Sequence, residues 1–297
     1  MFPRTQIENL SVPRLIVGTN WLLGYSHTSK AKDRHIVETV TSDDIADILE
    51  TAVAAGVDTF YGVRPDPKLN RAVAEAQQRT GRKIIQIAIP TFPTAGDAAA
   101  LSETARILDA YQAIGVDICM PHQATTDAFV NRRTRSLAGI EPYLALIRER
   151  GMIPGLSTHM PETPIYADAT DLDVATYIQI YNAAGFLMQI EIDWVQRMIW
   201  NARRPVITIK PLAAGRLPPL VGLAFSWATL RPIDMVCIGV HTADEMAEVI
   251  ELSLALLEQR APRIELQETR SKASLTTVGA ARGQANDHGP AAQTSIA

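Results

Sequence analysis

The chain alternates between two kinds of hydrophobic pattern. Short runs rich in Val, Ile and Leu end in Gly, Asn, Pro or His, and each is followed by a longer stretch whose apolar residues recur every three or four positions. Continuous short apolar runs are typical of buried parallel strands, and the longer period is typical of amphipathic helices. The predicted strands lie at 14–20, 57–61, 83–90, 116–122, 152–159, 174–182, 205–211 and 234–241.

Helical patterns separate these strands, as at 41–56, where Ser42 is the expected N-cap and acidic residues follow it. About eight strand–helix units result, which is the number in a (β/α)8 TIM barrel. A doubly wound sheet also alternates, but it does not readily explain eight units without a G-x-G-x-x-G turn. We predict a TIM barrel over 1–264 and a flexible polar tail over 265–297, where the sequence is small, polar and aperiodic.

Composition narrows the class of partner. The 297 residues are 47% hydrophobic and 20% charged, with a net charge of −4. Because no cluster of Lys and Arg stands out, we expect no nucleic-acid partner. No apolar run is long enough for a membrane span, and the N-terminus has no signal-peptide pattern. We therefore expect a cytoplasmic protein with a small-molecule substrate, no membrane partner and reduced core cysteines; homo-oligomerisation stays open.

Chemistry in a TIM barrel sits at the carboxyl ends of the strands. Histidine, tyrosine and lysine side chains at these positions can transfer protons. The candidate catalytic residues are Tyr61, His122, Lys210 and His159, and the candidate substrate-binding residues are Asn20, Trp21, Gln123 and His241.

Each of these residues also has a structural interpretation. Lys210 could pair with a carboxylate at the rim, and His241 could belong to the entry of a helix that Thr242 caps. Three histidines could in principle bind zinc, but no Asp or Glu ends a strand and no H-x-H or H-E-x-x-H spacing occurs. We predict no metal.

Five segments in order resemble the aldo-keto reductase superfamily over roughly residues 12–260. They are "SVPRLIVGTNWLLG", "GVDICMPH", "LIRERGMIPGLSTH", "YNAAG" and "ITIKPLAAGRL". The second resembles the fourth-strand motif in which an aspartate precedes the pocket histidine by five residues; Asp117 and His122 fit it. The resemblance implies a (β/α)8 barrel that reduces carbonyl groups with NADP or NAD.

The family's catalytic tetrad of Asp, Tyr, Lys and His is incomplete in this chain. The family pattern F-D-T-A-x-x-Y-G reads "FYG", so Tyr61 corresponds either to the general-acid tyrosine after a deletion or, without a gap, to the aspartate. Strand three ends in Ile89-Pro90 in place of T-K. Without those partners a tyrosine is a weak proton donor, unless Lys210 replaces the lysine or His122 donates the proton.

The resemblance also implies a set of cofactor-binding positions. Where relatives have "SN", this chain has Ser157-Thr158, and no arginine follows strand eight to meet a 2′-phosphate. The implied cofactor contacts are Ser157, Thr158, Tyr181, Pro211, Leu212, Gly215, Gly239 and Thr242.

Three functional hypotheses remain. The first is a divergent aldo-keto-reductase-like enzyme that uses NAD(P)H on a small polar carbonyl or sugar-like compound. The second is a cofactor-independent acid–base lyase, epimerase or isomerase that uses His122, His159, Tyr61 and Lys210. The third is a non-catalytic barrel of the same ancestry.

Overall fold

The structure is a computed structural model that describes residues 1–267, 269, 271 and 272. Met1–Pro262 form one compact unit, which contains the strands and helices described below. Its strands are β1 (Arg4–Ile7), β2 (Leu10–Pro13), β3 (Leu15–Gly18), β4 (Thr59–Val63), β5 (Ile85–Ala88), β6 (Ile118–Cys119), β7 (Val130–Asn131), β8 (Ser136–Leu137), β9 (Ile153–Pro154), β10 (Leu156–Ser157), β11 (Tyr177–Ile180), β12 (Val206–Ile209) and β13 (Met235–Ile238).

Nine of these strands form one parallel sheet in the order β10-β11-β12-β13-β3-β4-β5-β6-β9. The first and last strands of this order, β10 and β9, are two halves of one strand that is interrupted at Gly155. The sheet therefore closes on itself as an eight-stranded barrel. A Cβ atom at Gly155 would lie 2.7 Å from the carbonyl oxygen of Thr176. The predicted (β/α)8 TIM barrel is confirmed, and each observed barrel strand overlaps its predicted run.

Helices connect the barrel strands on the outside. They are α1 (Lys30–Thr39), α2 (Ser42–Ala54), α3 (Pro67–Thr80), α4 (Ala98–Ala113), α5 (Gln123–Thr126), α6 (Glu141–Glu149), α7 (Glu162–Ala169), α8 (Ile192–Asn201), α9 (Pro219–Thr229) and α10 (Ala243–Leu257). The expected N-cap of α2 is wrong by one residue. Thr41 caps α2, because its hydroxyl accepts from the Asp44 N–H while the Asp44 carboxylate accepts from the Thr41 N–H.

The barrel interior is filled by branched apolar side chains from the strands. The buried cluster includes Ile16, Ile87, Ile118, Ile178 and Ile207, none exposed to solvent. The antiparallel hairpin β1–β2 adds Ile7 and Val12 to the same cluster. The hairpin therefore covers the amino-terminal end of the barrel and leaves the carboxyl end open for a site.

Arg263–Ala297 form a second unit, of which residues 263–267, 269, 271 and 272 are described. Within it the Lys272 ammonium donates to the Gln267 carbonyl oxygen at 3.0 Å. The predicted flexible tail over 265–297 lies mostly outside the described residues. Among the helices described, none combines the length and the apolar character needed to cross a membrane.

Candidate active site at the carboxyl ends of the barrel strands

A cavity of about 600 Å³ opens at the carboxyl ends of the barrel strands. Its lining brings together the four predicted catalytic residues, Tyr61, His122, His159 and Lys210. These residues lie at the ends of four different barrel strands, so their side chains come together only because the sheet closes into a barrel. Three of the predicted substrate-binding residues also line it, namely Asn20, Trp21 and Gln123.

Tyr61 lies on the floor of this cavity. The pairing of β4 with β5 shifts between Tyr61 and Val63, where Gly62 has a φ of 86°. At this irregularity the Tyr61 side chain points into the barrel, where it is 6% exposed to solvent. Burial raises the pKa of Tyr61, the neighbouring Cys237 raises it further, and a hydrogen bond with Ser157 lowers it. Tyr61 is therefore a protonated phenol at neutral pH, able to donate a hydrogen bond.

The His122 imidazole has a defined tautomer. His122 caps α5, and the Ala124 N–H donates to its Nδ1 at 3.2 Å, so Nδ1 carries the lone pair and Nε2 carries the hydrogen. Burial first and the Lys210 charge second lower the pKa of His122. The ring is therefore neutral at neutral pH and offers Nε2–H as a hydrogen-bond donor. A neutral imidazole in this state can polarise a carbonyl oxygen.

Lys210 follows β12 in a left-handed backbone conformation, with a φ of 62°. Such a conformation is strained for a residue with a side chain, and strained residues of this kind cluster at active sites. Burial lowers the pKa of Lys210 to about 8. Cys237, next to it on β13, provides no counter-charge, because burial raises the pKa of that thiol. Within the described chain the Lys210 side chain has no hydrogen-bond or ion-pair partner.

His159 follows β10, the end of the fifth barrel strand, and lines the cavity with His122 and Lys210. Its backbone N–H donates to the Asp127 carboxylate at 3.2 Å, which fixes the start of the loop. Burial, then the charge of Lys210, then the neighbouring histidines lower the pKa of His159 to about 4. The imidazole is therefore neutral at neutral pH. An anion bound beside Lys210 would raise this pKa, because it would offset the positive charge.

The charge of the cavity lining has one sign. Its charged or titratable nitrogen groups are His27, Arg64, His122, His159 and Lys210. Of the residues that the structure describes, no aspartate or glutamate lines the cavity. A cavity with cationic groups and no carboxylate favours a ligand that carries a negative charge. The structural alternative for Lys210, a pair with a rim carboxylate, is therefore wrong.

Four predicted contacts lie away from this cavity. The Thr158 hydroxyl is bonded to the Asp127 carboxylate, and the Tyr181 hydroxyl donates to Thr229 at 3.0 Å. Thr242 caps α10, where its hydroxyl accepts from the Glu245 N–H. His241 packs edge-on against Trp21, with ring centroids 4.6 Å apart. The structure thus gives Thr158, Tyr181 and Thr242 internal partners, whereas the predicted contacts Ser157, Pro211, Leu212, Gly215 and Gly239 line the cavity.

Other lining residues were not predicted from the sequence. His27 and Tyr25 lie in the loop after β3, which is fixed because Asp33 accepts from the N–H of Ser26 at 3.0 Å. Arg64 follows β4 and donates to the Tyr25 hydroxyl at 3.3 Å. Extending the search from the strand ends into the polar loops that follow them would have included His27 and Arg64.

Metal binding has no support in the described part of the chain. No group of three or more His, Cys, Asp or Glu side chains is arranged there to hold a metal ion. The three histidines considered from the sequence do not meet, because His241 lies outside the cavity that contains His122 and His159.

Comparison with known proteins supports the fold. No protein-family model matches the chain, and no curated protein sequence matches it. A solved structure of a Pseudomonas aeruginosa protein assigned to the aldo-keto reductases matches with a TM-score of 0.62 at 14% identity, over 86% of this chain and 94% of that one. The aldose reductase of Giardia lamblia matches with a TM-score of 0.53 at 13% identity, over 89% and 90%. An aldo/keto reductase from Brucella melitensis gives 0.53 at 13%, over 87% and 98%.

These matches confirm the resemblance to the aldo-keto reductases at the level of the fold. Their identities are too low to carry a reaction or a cofactor to this chain, because one barrel fold supports many chemistries. The chemistry must be argued from the cavity itself.

Proposed function

We propose that this protein is an acid–base enzyme that moves a proton at the carbon next to the carbonyl group of a small anionic substrate. This places it with the lyases, epimerases and isomerases. The observation that carries the proposal is the pair of uncharged hydrogen-bond donors, His122 Nε2–H and the Tyr61 hydroxyl, in a cavity with a partly buried cation, Lys210, and no described carboxylate. Removal of a proton next to a carbonyl places negative charge on the oxygen, and donors of this kind stabilise that charge.

The proton acceptor belongs to the same cavity. His159 and Lys210 are both nitrogen bases there, with pKa values lowered to about 4 and about 8. Tyr61 is a poor base, because burial raises its pKa. A bound substrate anion would bring the pKa of His159 closer to neutrality, since it would offset the Lys210 charge.

Solvent exchange tests this proposal without any cofactor. The protein is incubated in D2O with pyruvate, 2-oxobutanoate or dihydroxyacetone phosphate, and the loss of the proton signal next to the carbonyl is followed by NMR. We expect exchange faster than in buffer with at least one compound, and a loss of about 100-fold or more in His122→Gln. His35→Gln, an exposed histidine on α1, is the matched control and should keep the rate. Exchange at the buffer rate with all three compounds would overturn the proposal.

Reduction of a carbonyl with NADP or NAD is the second candidate. The observation in its favour is that Ser157, Pro211, Leu212, Gly215 and Gly239, all expected from the resemblance, line the cavity. The resemblance would put the dinucleotide phosphates at "PLAAGRL" and at the start of α10. The first segment contributes Pro211, Leu212 and Gly215 to the cationic cavity. The start of α10 instead borders a second small cavity, whose described lining includes Asp44, Asp47 and Asp244 and no lysine or arginine. The acidic character of this second part ranks reduction after the acid–base reaction, and we derive no step through a nicotinamide group.

Fluorescence titration separates the two candidates. NADH and NADPH are added to the protein while tryptophan emission is recorded, because Trp21 lines the cavity. The acid–base proposal expects no saturable quenching up to millimolar nucleotide. Saturable binding together with oxidation of NADH or NADPH by the three carbonyl compounds would favour reduction.

A further inference from the structure

We propose that the amine of Lys210 attacks the substrate carbonyl and forms a covalent imine with it. The inference rests on the proposed function, since both require a small carbonyl compound with an anionic group in this cavity. It gives Lys210 the role of nucleophile and leaves His159 as the residue that moves the proton.

The position of Lys210 fits a nucleophile better than a structural cation. Structural lysines normally pair with a carboxylate or extend into water, but the Lys210 side chain has neither a described partner nor a carboxylate in the lining around it. Its left-handed backbone, with a φ of 62°, holds the residue at the open end of β12. A lysine desolvated beside other basic groups is the usual form of an imine-forming lysine, because its amine is available at neutral pH. Burial, which lowers the Lys210 pKa to about 8, acts in the same direction.

The neighbouring groups suit the addition step. His122 Nε2–H and the Tyr61 hydroxyl lie in the same lining and can donate to the carbonyl oxygen as the nitrogen attacks carbon. The Cys237 thiol beside Lys210 stays protonated and does not compete as a thiolate. The Arg64 guanidinium in the lining, which also pairs with Asp66 at 3.5 Å, provides positive charge for the carboxylate or phosphate of the substrate, and the neutral His27 ring can donate a hydrogen bond to it.

The reaction balances with no external oxidant or reductant. The lysine nitrogen forms a bond to the carbonyl carbon while the C=O π electrons move to oxygen, which takes up a proton. The C–O bond then breaks and water leaves. Overall, an ammonium and a carbonyl give an iminium and one water, and the two hydrogens lost by nitrogen leave with the oxygen. His159 then takes a proton from the adjacent carbon, and those electrons move towards the iminium nitrogen. Reprotonation and addition of water release the product.

Borohydride trapping tests the inference. The full-length protein is mixed with pyruvate in one arm and dihydroxyacetone phosphate in another, sodium borohydride is added, and the modified peptide is identified by mass spectrometry. We expect a reduced adduct on Lys210 in at least one arm. Lys210→Met should lose the adduct, and Lys30→Met, a control at an exposed position on α1, should keep it. Circular dichroism checks that each variant is folded.

The outcomes separate the inference from the proposed function. No adduct in either arm, or equal labelling of many lysines that persists in Lys210→Met, overturns the imine. If proton exchange is nevertheless observed and survives in Lys210→Met, the proposed function stands and the imine alone fails. If Lys210 is trapped while no compound exchanges its proton, the imine stands and the proposed function fails.

Discussion

Replacing Lys210 with methionine should make the protein more stable at neutral pH. The folded protein holds the Lys210 ammonium in a partly buried position, where its pKa falls from 10.5 to about 8. At 1.36 kcal/mol per pH unit this difference corresponds to about 3 kcal/mol of destabilisation by the charged form. Methionine has a similar length and no charge, so Lys210→Met should recover most of that free energy. It also removes the proposed nucleophile, which gives a variant that is more stable and inactive.

The difference in the free energy of unfolding between Lys210→Met and the wild type should depend on pH. The unfolded chain binds the lysine proton more tightly than the folded protein, so burial of Lys210 destabilises the fold fully below pH 8, and the effect fades as the pH rises from about 8 to 10.5. We therefore expect the stability advantage of Lys210→Met to be largest at neutral pH and to shrink towards pH 10.5.

Urea denaturation at a series of pH values measures this difference. Unfolding of the wild type and of Lys210→Met is followed by circular dichroism, and the free energies are compared at each pH. Lys30→Met, on the exposed surface of α1, should show a difference near zero throughout. A Lys210→Met protein that is less stable than the wild type, or a difference independent of pH, would refute the reasoning.

Three further predictions concern the barrel and the site. Asp234→Ala should lower the free energy of unfolding by about 3–5 kcal/mol in urea denaturation, because the fully buried carboxylate pairs with Arg231 and its removal leaves that guanidinium without a counter-charge, bonded to backbone carbonyls alone; a loss below about 1 kcal/mol would contradict this. Gly62→Ala should cost about 1–3 kcal/mol by the same assay, since Gly62 has a φ of 86° and a Cβ there would lie 2.3 Å from the Thr19 hydroxyl; an unchanged midpoint would disprove the strain. Long-range 1H–15N NMR at neutral pH should show His122 protonated at Nε2 alone, and an Nδ1–H or doubly protonated ring would contradict the assigned tautomer.

The barrel could be predicted because its signal is repeated. Eight apolar runs and the helical patterns between them all predict the same barrel. An error of one residue, such as the cap of α2, therefore does not change the predicted topology. The hairpin Arg4–Pro13 was missed because few of its positions are buried, so it has no continuous apolar run. The cavity residues that end strands, such as His122 and Lys210, follow from the rule that parallel strands finish at one rim.

The remaining features depend on contacts that local sequence does not reveal. The Thr158 hydroxyl turns to Asp127, 31 residues earlier in the chain, so a strand-end position did not bring this side chain into the cavity. Arg64 is placed by the Tyr25 hydroxyl, 39 residues away, and by its own loop. Tyr181 follows β11, the sixth barrel strand, but its ring packs against Phe225 of α9, with 4.9 Å between the ring centroids. In each case a tertiary partner decides where the side chain points.

A crystal structure of the protein soaked with pyruvate tests the account most directly, because it shows where an anionic carbonyl compound binds. We predict electron density in the cavity, continuous with or in contact with the Lys210 nitrogen, with the carbonyl-derived oxygen or nitrogen near His122 Nε2. A cavity without pyruvate, or one in which His122 and Lys210 turn away from the ligand, would contradict the central claim.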